Sequence, residues 1–127
     1  MNTLHFDKNS KTIFLEESNN EINLKNRLEY VYQIGKMLPE HKKIKILQNN
    51  TGSKTKLSLD EIEILTGEIR KIMNNTDFMI FHAVIYNSPL ETAHSIVYES
   101  LGLPENYIHK IFNTADAASS WLDEIKL

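Results

Sequence analysis

Histidine is the residue type in this chain that could take part in the most kinds of chemistry. There are five histidines: His5, His41, His82, His94 and His109. An imidazole titrates near neutral pH, so it can transfer protons in catalysis or bind a metal ion. No histidine stands three or four residues from another, so the chain lacks the HExxH-type pair of a helical zinc site. The spacing therefore predicts no metal site, and we expect no cofactor.

His82 interrupts an otherwise apolar run from Phe78 to Tyr86. A buried histidine can be tuned into an acid or a base, but the sequence favours a core imidazole that is hydrogen-bonded to the backbone. No GxSxG motif is present, and the paired acidic residues fall at hairpin, cap and surface positions. We therefore predict no catalytic residues. The alternative is an enzyme that pairs His82 or His94 with a distant carboxylate.

The segment from Asn50 to Thr55 brings glycine, lysine and threonine together, as the end of a phosphate-binding loop does. The GxxxxGK[ST] order is absent because Ser53 separates Gly52 from Lys54. The segment runs into a helix start, where free backbone N–H groups favour anions. A solvated surface loop is the favoured interpretation, and anion binding is the alternative.

Composition limits the classes of protein that this chain can belong to. Its 127 residues, 41% apolar and 24% charged, fit a single domain over residues 1–127. The absence of cysteine excludes disulfides, thiolate zinc sites and a cysteine nucleophile. The net charge of −3 argues against broad nucleic-acid binding. We interpret the lysines between residues 36 and 56 as a solvated rim.

Two features of the sequence bear on location. The first eight residues lack the charged and apolar regions of a signal peptide. The apolar run around residues 78–86 is far shorter than the ~20 residues that cross a bilayer. We therefore expect a cytoplasmic protein without an integral membrane segment.

Strand and helix patterns alternate along the chain and position these side chains. Ser58 with Glu61 has the spacing of a capping box, and so has Ser88 with Glu91, where Pro89 takes the first helical position. Pro39 and Gly102 are expected to end helices. The predicted elements are hairpin strands at 3–6 and 12–15, a helix from Asn23 to Pro39, strands at 44–47, 78–86 and 108–112, helices over 58–73 and 88–101, and a last helix capped by Asn113 or Thr114.

The order of these elements predicts the fold class. Alternation of strands and helices implies a mostly parallel sheet with right-handed crossovers, and the opening hairpin adds an antiparallel edge. We therefore predict an α/β domain with a mixed, mostly parallel sheet and about four helices. Leu90, Ala93, Val97 and Leu101 are expected to be the core-facing side of the third helix.

The last elements show a pattern that resembles the bacterial SpoIIAA-like (STAS/Sec14-like) family. The resemblance rests on residues 83–89, Thr92-Ala93, residues 110–114, Ala117 and Trp121-Leu122. It covers about the last 50 residues well, and the upstream element order is compatible with it. It implies a small, usually non-enzymatic α/β domain.

The resemblance also implies a site. STAS members that antagonise anti-sigma factors are regulated by phosphorylation of a serine near the start of the helix after the third strand. The corresponding region here spans residues 48–61, and its candidate phospho-acceptor or partner-interface residues are Asn49, Thr51, Ser53 and Ser58.

Three hypotheses of function follow. The first is a regulatory or protein-interaction domain that binds a protein partner through the 48–61 region, with a homodimer through the hairpin edge as a related form. The second, implied by Sec14-like relatives, is a carrier of a small apolar ligand or lipid, lined by strand 78–86 and by Tyr30, Tyr32 and Tyr98. The third is the enzyme that uses His82 or His94.

Overall fold

The computed structural model describes residues 3–18, 20–100 and 102–127, with side chains described for all of these except 98–100. The elements follow the predicted alternation, with two short additions. They are β1 (Thr3–Asp7), β2 (Thr12–Glu16), β3 (Glu21–Ile22), α1 (Leu24–His41), β4 (Lys43–Asn49), β5 (Lys54–Thr55), α2 (Leu59–Ile72), β6 (Met79–Ile85), α3 (Pro89–Ser100), β7 (Tyr107–Phe112) and α4 (Ala115–Asp123).

Five of the strands form one sheet in the order β1-β2-β4-β6-β7. The hairpin strands β1 and β2 pair antiparallel, whereas β2-β4, β4-β6 and β6-β7 pair in parallel. The predicted α/β class, with its mixed and mostly parallel sheet, opening hairpin and four helices, is therefore confirmed. Each crossover moves in the same direction along the sheet, so right-handed connections bring α1, α2 and α3 to one face.

Alternating side chains divide the sheet into two faces. In β4, Ile44, Ile46 and Gln48 are buried on the side of α1 and α2, and Leu47 packs on the other side with α4. On β6, Ile80 lies on the side of α1 and α2, and Ala83 lies on the side of α4. A larger core thus lies under α1 and α2, and a smaller one lies under α4.

Three helix starts use the predicted type of cap. Asn23 Oδ1 accepts from the backbone N–H of Asn26 at 3.0 Å, and Ser58 and Glu61 form the reciprocal capping box. Thr114, rather than Asn113, caps α4 by accepting from Ala117 N–H at 3.2 Å. Each cap satisfies a backbone N–H that the first helical turn leaves without an intrahelical partner.

The secondary structure differs from the sequence-based prediction at two places. The prediction that Pro39 ends α1 was wrong, because the helix continues to His41. A proline this close to the end of a helix interrupts few remaining backbone bonds. Strand β5 lies in the segment interpreted as a loop, and it pairs with β3, for which no strand was predicted, as a separate two-stranded sheet. Two-residue strands carry no periodic pattern, so only their pairing reveals them.

The orientation of α3 also differs from the prediction. Leu90 is 65% exposed and Ala93 is exposed, whereas Glu91 and Ser95 are 6% and 5% exposed. Leu101, which completed the predicted stripe, lies outside the described residues. The helix turns its polar side inward because the Glu91 carboxylate accepts from the backbone N–H and the hydroxyl of Thr55. Ser88 Oγ accepts from Glu91 N–H at 3.4 Å as predicted, but the Glu91 carboxylate is bonded to Thr55 and does not complete the predicted second capping box.

No helix within the described ranges combines the length and the apolar composition needed to cross a bilayer.

Candidate functional site

A cavity of about 70 Å³ lies between the sheet and the three helices on its larger face. Its apolar lining includes Val31 and Ile34 of α1, Leu65 and Ile69 of α2, and the sheet residues Ile46 and Val84. Strands β4, β6 and β7 and helix α3 add a set of polar residues: Gln48, His82, Tyr107, His109, His94 and Ser95. The cavity therefore combines a largely aliphatic lining with a few polar groups.

Sheet register brings the polar residues of the strands together. His82 of β6 is the register partner of His109 of β7, and their ring centroids are 5.1 Å apart. Gln48 is two residues beyond Ile46, the register partner of His82 on β4. Residues two apart on a strand share a face, so Gln48, His82 and His109 all point towards the helices.

Both ring nitrogens of His82 are hydrogen-bonded within the protein. Nδ1 lies 2.6 Å from Tyr107 Oη, and Nε2 lies 2.5 Å from Gln48 Oε1. The Gln48 carbonyl can only accept, so Nε2 carries the proton and Tyr107 donates to Nδ1. His82 is therefore a fixed link in a hydrogen-bonded chain, and neither nitrogen remains available to a substrate.

The chain continues to an ion pair beneath the cavity wall. Gln48 Nε2 donates to Glu17 Oε1 at 2.5 Å, and Arg27 Nη1 donates to the same oxygen. Glu17 is 0% exposed, and the Arg27 side chain is 13% exposed. A buried carboxylate requires such partners because its desolvation is otherwise costly.

Asn50 joins a further tyrosine to this pair. With its amide oriented to suit its neighbours, the oxygen accepts from Tyr86 Oη at 3.0 Å and from Arg27 Nη2 at 3.2 Å, and the nitrogen donates to Glu17 at 3.3 Å. Burial raises the pKa of Tyr86. The phenol therefore stays protonated and remains a donor to Asn50.

Burial also controls the charge of the central histidine. It holds the pKa of His82 well below the ordinary value of 6.5, and nearby His109 and Arg27 lower it further. His82 is consequently neutral at physiological pH, which agrees with its one-donor, one-acceptor bonding. Burial and the charge of Glu17 raise the pKa of Tyr30, on the α1 wall, to about 12.

Helix α3 and strand β5, which are hydrogen-bonded to each other, also line the cavity. Besides the Glu91–Thr55 bonds, Asn87 Oδ1 accepts from Gly52 N–H at 3.2 Å. Most lining side chains are buried. Those that are half-buried mark where the cavity comes closest to solvent, and they are Arg27, Thr55, Leu57, His94 and His109.

His94 differs from the other polar residues of this wall. Its Nδ1 is buried and has no hydrogen-bond partner among the described residues. His94 lies on the inward side of α3, one residue before the buried Ser95. A buried polar atom without a partner inside a cavity wall is where a ligand atom is expected.

The five histidines therefore divide into two groups that sequence spacing does not indicate. His82, His94 and His109 line one cavity. His5 stacks beside Phe14 and His41 packs on Phe6, away from it. Within the described part of the chain, no three histidine or acidic side chains form a group that could hold a metal ion.

The predicted phospho-acceptor and interface residues lie outside the cavity wall. Asn49 Oδ1 accepts from Thr51 N–H at 3.0 Å in the turn after β4. Ser53 is buried, and its hydroxyl donates to the Asn50 carbonyl at 2.6 Å. Ser58 is exposed as the cap of α2. The three hydroxyl-bearing side chains thus differ in solvent exposure, because Ser53 is buried, Thr51 is half-buried and Ser58 is exposed.

The three tyrosines predicted to line a carrier's ligand cavity do not all line the observed cavity. Tyr30 lines the cavity, Tyr32 is 49% exposed, and the side chain of Tyr98 is outside the description. Sequence reasoning missed Gln48 and Glu17. The signal for Gln48 was present, because it continues the inward positions of Ile44 and Ile46 with an uncharged polar residue.

Comparison of the chain with protein-family models, with curated proteins and with solved structures found no match. The resemblance to the SpoIIAA-like family therefore stays a prediction.

Proposed function

We propose that this domain binds a small molecule with an apolar body and a polar end in the cavity between the sheet and helices α1, α2 and α3. The observation that carries the proposal is the mixed lining of that cavity. Aliphatic side chains of α1, α2 and the sheet line it together with a few polar groups from β4, β6, β7 and α3. Apolar walls with a few convergent polar groups are typical of small-molecule sites.

The size of the cavity limits the ligand. A volume of about 70 Å³ exceeds the space needed for a single water. It is smaller than the roughly 150 Å³ of an apolar cavity that binds benzene. A ligand of more than a few heavy atoms must therefore extend between the half-buried residues of β5 and α3, or displace α3.

The hydrogen bonds of His82 argue against a catalytic role for that residue, so the enzyme hypothesis rests on His94 alone. His82 uses both ring nitrogens on Tyr107 and Gln48. A general acid or base needs a nitrogen within reach of the substrate. This arrangement supports a carrier or sensor of a ligand, the second of the hypotheses drawn from the sequence. A cytoplasmic location and membership of the SpoIIAA-like family belong to the same proposal.

The proposal can be tested by titrating the ¹⁵N-labelled protein with 1-hexanol and recording amide spectra. We expect saturable shifts at residues of α1, α2, β6 and α3 around the cavity. Ser95→Leu and Val31→Phe, which fill the cavity from opposite walls, should abolish saturation. Ser120→Leu, on the exposed side of α4, is the matched control and should bind as the original protein does. Shifts that never saturate, or that persist in both filled variants, would refute the proposal.

A second candidate function is the regulatory or protein-interaction domain predicted from the STAS/SpoIIAA-like resemblance. It is supported by the apolar outer side of α3, where Leu90 and Ile96 are 65% and 55% exposed. The Gly52–Asn87 hydrogen bond places this side next to the turn that contains Thr51 and Ser53. Exposed apolar side chains beside a polar rim are common in contact surfaces.

The interaction hypothesis predicts that a partner captured by the original protein is lost with Leu90→Asp/Ile96→Asp. The matched control is Ile64→Asp, since Ile64 is 50% exposed but lies on α2 outside residues 48–61. Equal capture by all three proteins would contradict a partner site on α3.

A further inference from the structure

The formal charge of the cavity wall is already compensated within the protein. Among the described residues that line the cavity, Arg27 is the single lysine, arginine or acidic side chain. Its guanidinium pairs with Glu17, which is fully buried behind the wall. The other carboxylate nearby, Glu91, accepts from Thr55 through both of its oxygens. Glu91 does not line the cavity, so the one lysine, arginine or carboxylate charge that a ligand meets among the described lining residues is that of Arg27, which is paired with Glu17.

Several polar groups of the wall are also committed to one another. Tyr107, His82 and Gln48 form the chain that ends on Glu17. Tyr86 donates to Asn50. His94 is different because its Nδ1 is buried without a partner among the described residues.

We infer that the cavity selects an uncharged ligand with a hydroxyl group, and that His94 Nδ1 makes the hydrogen bond to that hydroxyl. The inference rests on the proposed binding function and specifies the ligand class. A charged group would leave water without gaining an opposite charge, and that desolvation is costly. A hydroxyl both donates and accepts, so it can bond to either neutral tautomer of His94.

The position of His94 also places the hydroxyl group of the ligand. His94 lies on α3 and lines the cavity. The hydroxyl therefore lies beside α3, and the apolar body contacts aliphatic side chains of the lining such as Val31, Ile34 and Leu65. A primary alcohol is the simplest molecule that has a hydroxyl group at one end and an apolar body.

The test compares three probes of equal chain length, 1-hexanol, hexanoate and hexylammonium, in amide-shift titrations at neutral pH. We expect the two ions to bind about tenfold more weakly than the alcohol, or worse, because each must be desolvated without a partner charge. His94→Leu should weaken hexanol binding about fivefold, the value of one net hydrogen bond. His94→Asn, whose amide can take the place of Nδ1, should restore it. His5→Leu, on the opposite face of the sheet, should have no effect.

The ring ¹⁵N resonances of His94 distinguish a hydrogen bond to the ligand from a purely structural role of this residue. They should shift when hexanol binds, whereas those of His5 should not. If the ions bind as tightly as the alcohol, or if His94→Leu binds hexanol as the original protein does, the inference is wrong while the proposed function stands. If the original protein binds none of the probes, the proposed function and the inference both fail.

Discussion

His82 Nε2 lies 2.5 Å from Gln48 Oε1, although the two residues are 34 positions apart in the sequence. The bond links neighbouring parallel strands through their side chains, on the face covered by helices. The other end of the Gln48 amide donates to Glu17 at 2.5 Å. One uncharged side chain therefore bonds both to a neutral imidazole and to one oxygen of a buried carboxylate, and most of the following predictions depend on this hydrogen-bonded chain.

Gln48→Met should destabilise the fold, because it keeps the side-chain length but removes both hydrogen bonds. His82 Nε2–H is then left buried without a partner, at about 1–3 kcal/mol for the unsatisfied group, and Glu17 Oε1 loses one of its two donors while it keeps Arg27. We expect the free energy of unfolding in urea to fall by about 3 kcal/mol. Gln33→Met, at an exposed position of α1, is the control and should change it little. Equal stability of the two variants would contradict the hydrogen-bonded chain.

Stability should decrease in acid because of His82. Its pKa in the folded protein is well below the 6.5 of an unperturbed histidine. Below pH 6.5 the unfolded chain therefore binds a proton that the folded chain does not. The contribution is fully present above pH 6.5 and is lost below it, at up to about 1.4 kcal/mol per pH unit.

The measurement is urea unfolding at pH 7.5, 6.5 and 5.5 for the original protein and for His82→Gln. The variant should show a smaller loss of stability between pH 6.5 and 5.5. His5→Gln, which removes an exposed histidine, should keep the original slope. Identical slopes for the protein and His82→Gln would show that His82 does not resist protonation.

Arg27→Met should be strongly destabilising, since it leaves the fully buried Glu17 without its opposite charge. Breaking a buried pair on one side costs about 3–5 kcal/mol. Arg27→Met combined with Glu17→Met should recover part of that loss, because no buried charge remains. Lys25→Met on the exposed side of α1 is the matched control. A double variant no more stable than Arg27→Met would argue against an ion pair at this site.

The orientation of α3 can be tested by stability alone. Leu90→Ala should change the free energy of unfolding by less than about 0.5 kcal/mol, because Leu90 is mostly exposed. Ile62→Ala, at a buried position of α2, should cost about 2–5 kcal/mol. A loss at Leu90 as large as that at Ile62 would instead support the core-facing stripe expected from the sequence pattern.

Ser58→Ala tests the capping box of α2. The Ser58 hydroxyl accepts from Glu61 N–H at 3.2 Å, and Glu61 accepts from Ser58 N–H at 3.0 Å. Removing the cap should lower the free energy of unfolding by about 1 kcal/mol. Ser120→Ala, at an exposed position inside α4, should not lower it. No difference between the two variants would show that the cap contributes nothing.

The sequence by itself determined the α/β class, the order of the helices and of the five strands of the main sheet, and the caps at Asn23 and Ser58. These features depend on contacts within a few residues and on the periodicity of apolar side chains, which a single sequence displays directly. Prediction failed where one contact outweighed a local pattern. Pro39 lies inside the last turns of α1, and the bond from Glu91 to Thr55 turns α3 away from its apolar stripe.

Only the tertiary structure decided the cavity and the hydrogen-bonded chain beside it. Glu17, Gln48, His82 and Tyr107 come from separate strands or their ends, and no sequence spacing relates them. Sheet register sets which of these side chains meet, and burial then makes their hydrogen bonds obligatory and holds His82 neutral. The histidines visible in the sequence acquire distinct roles for this reason: His82 is a fixed link, and His94 faces the cavity with a nitrogen that has no partner among the described residues.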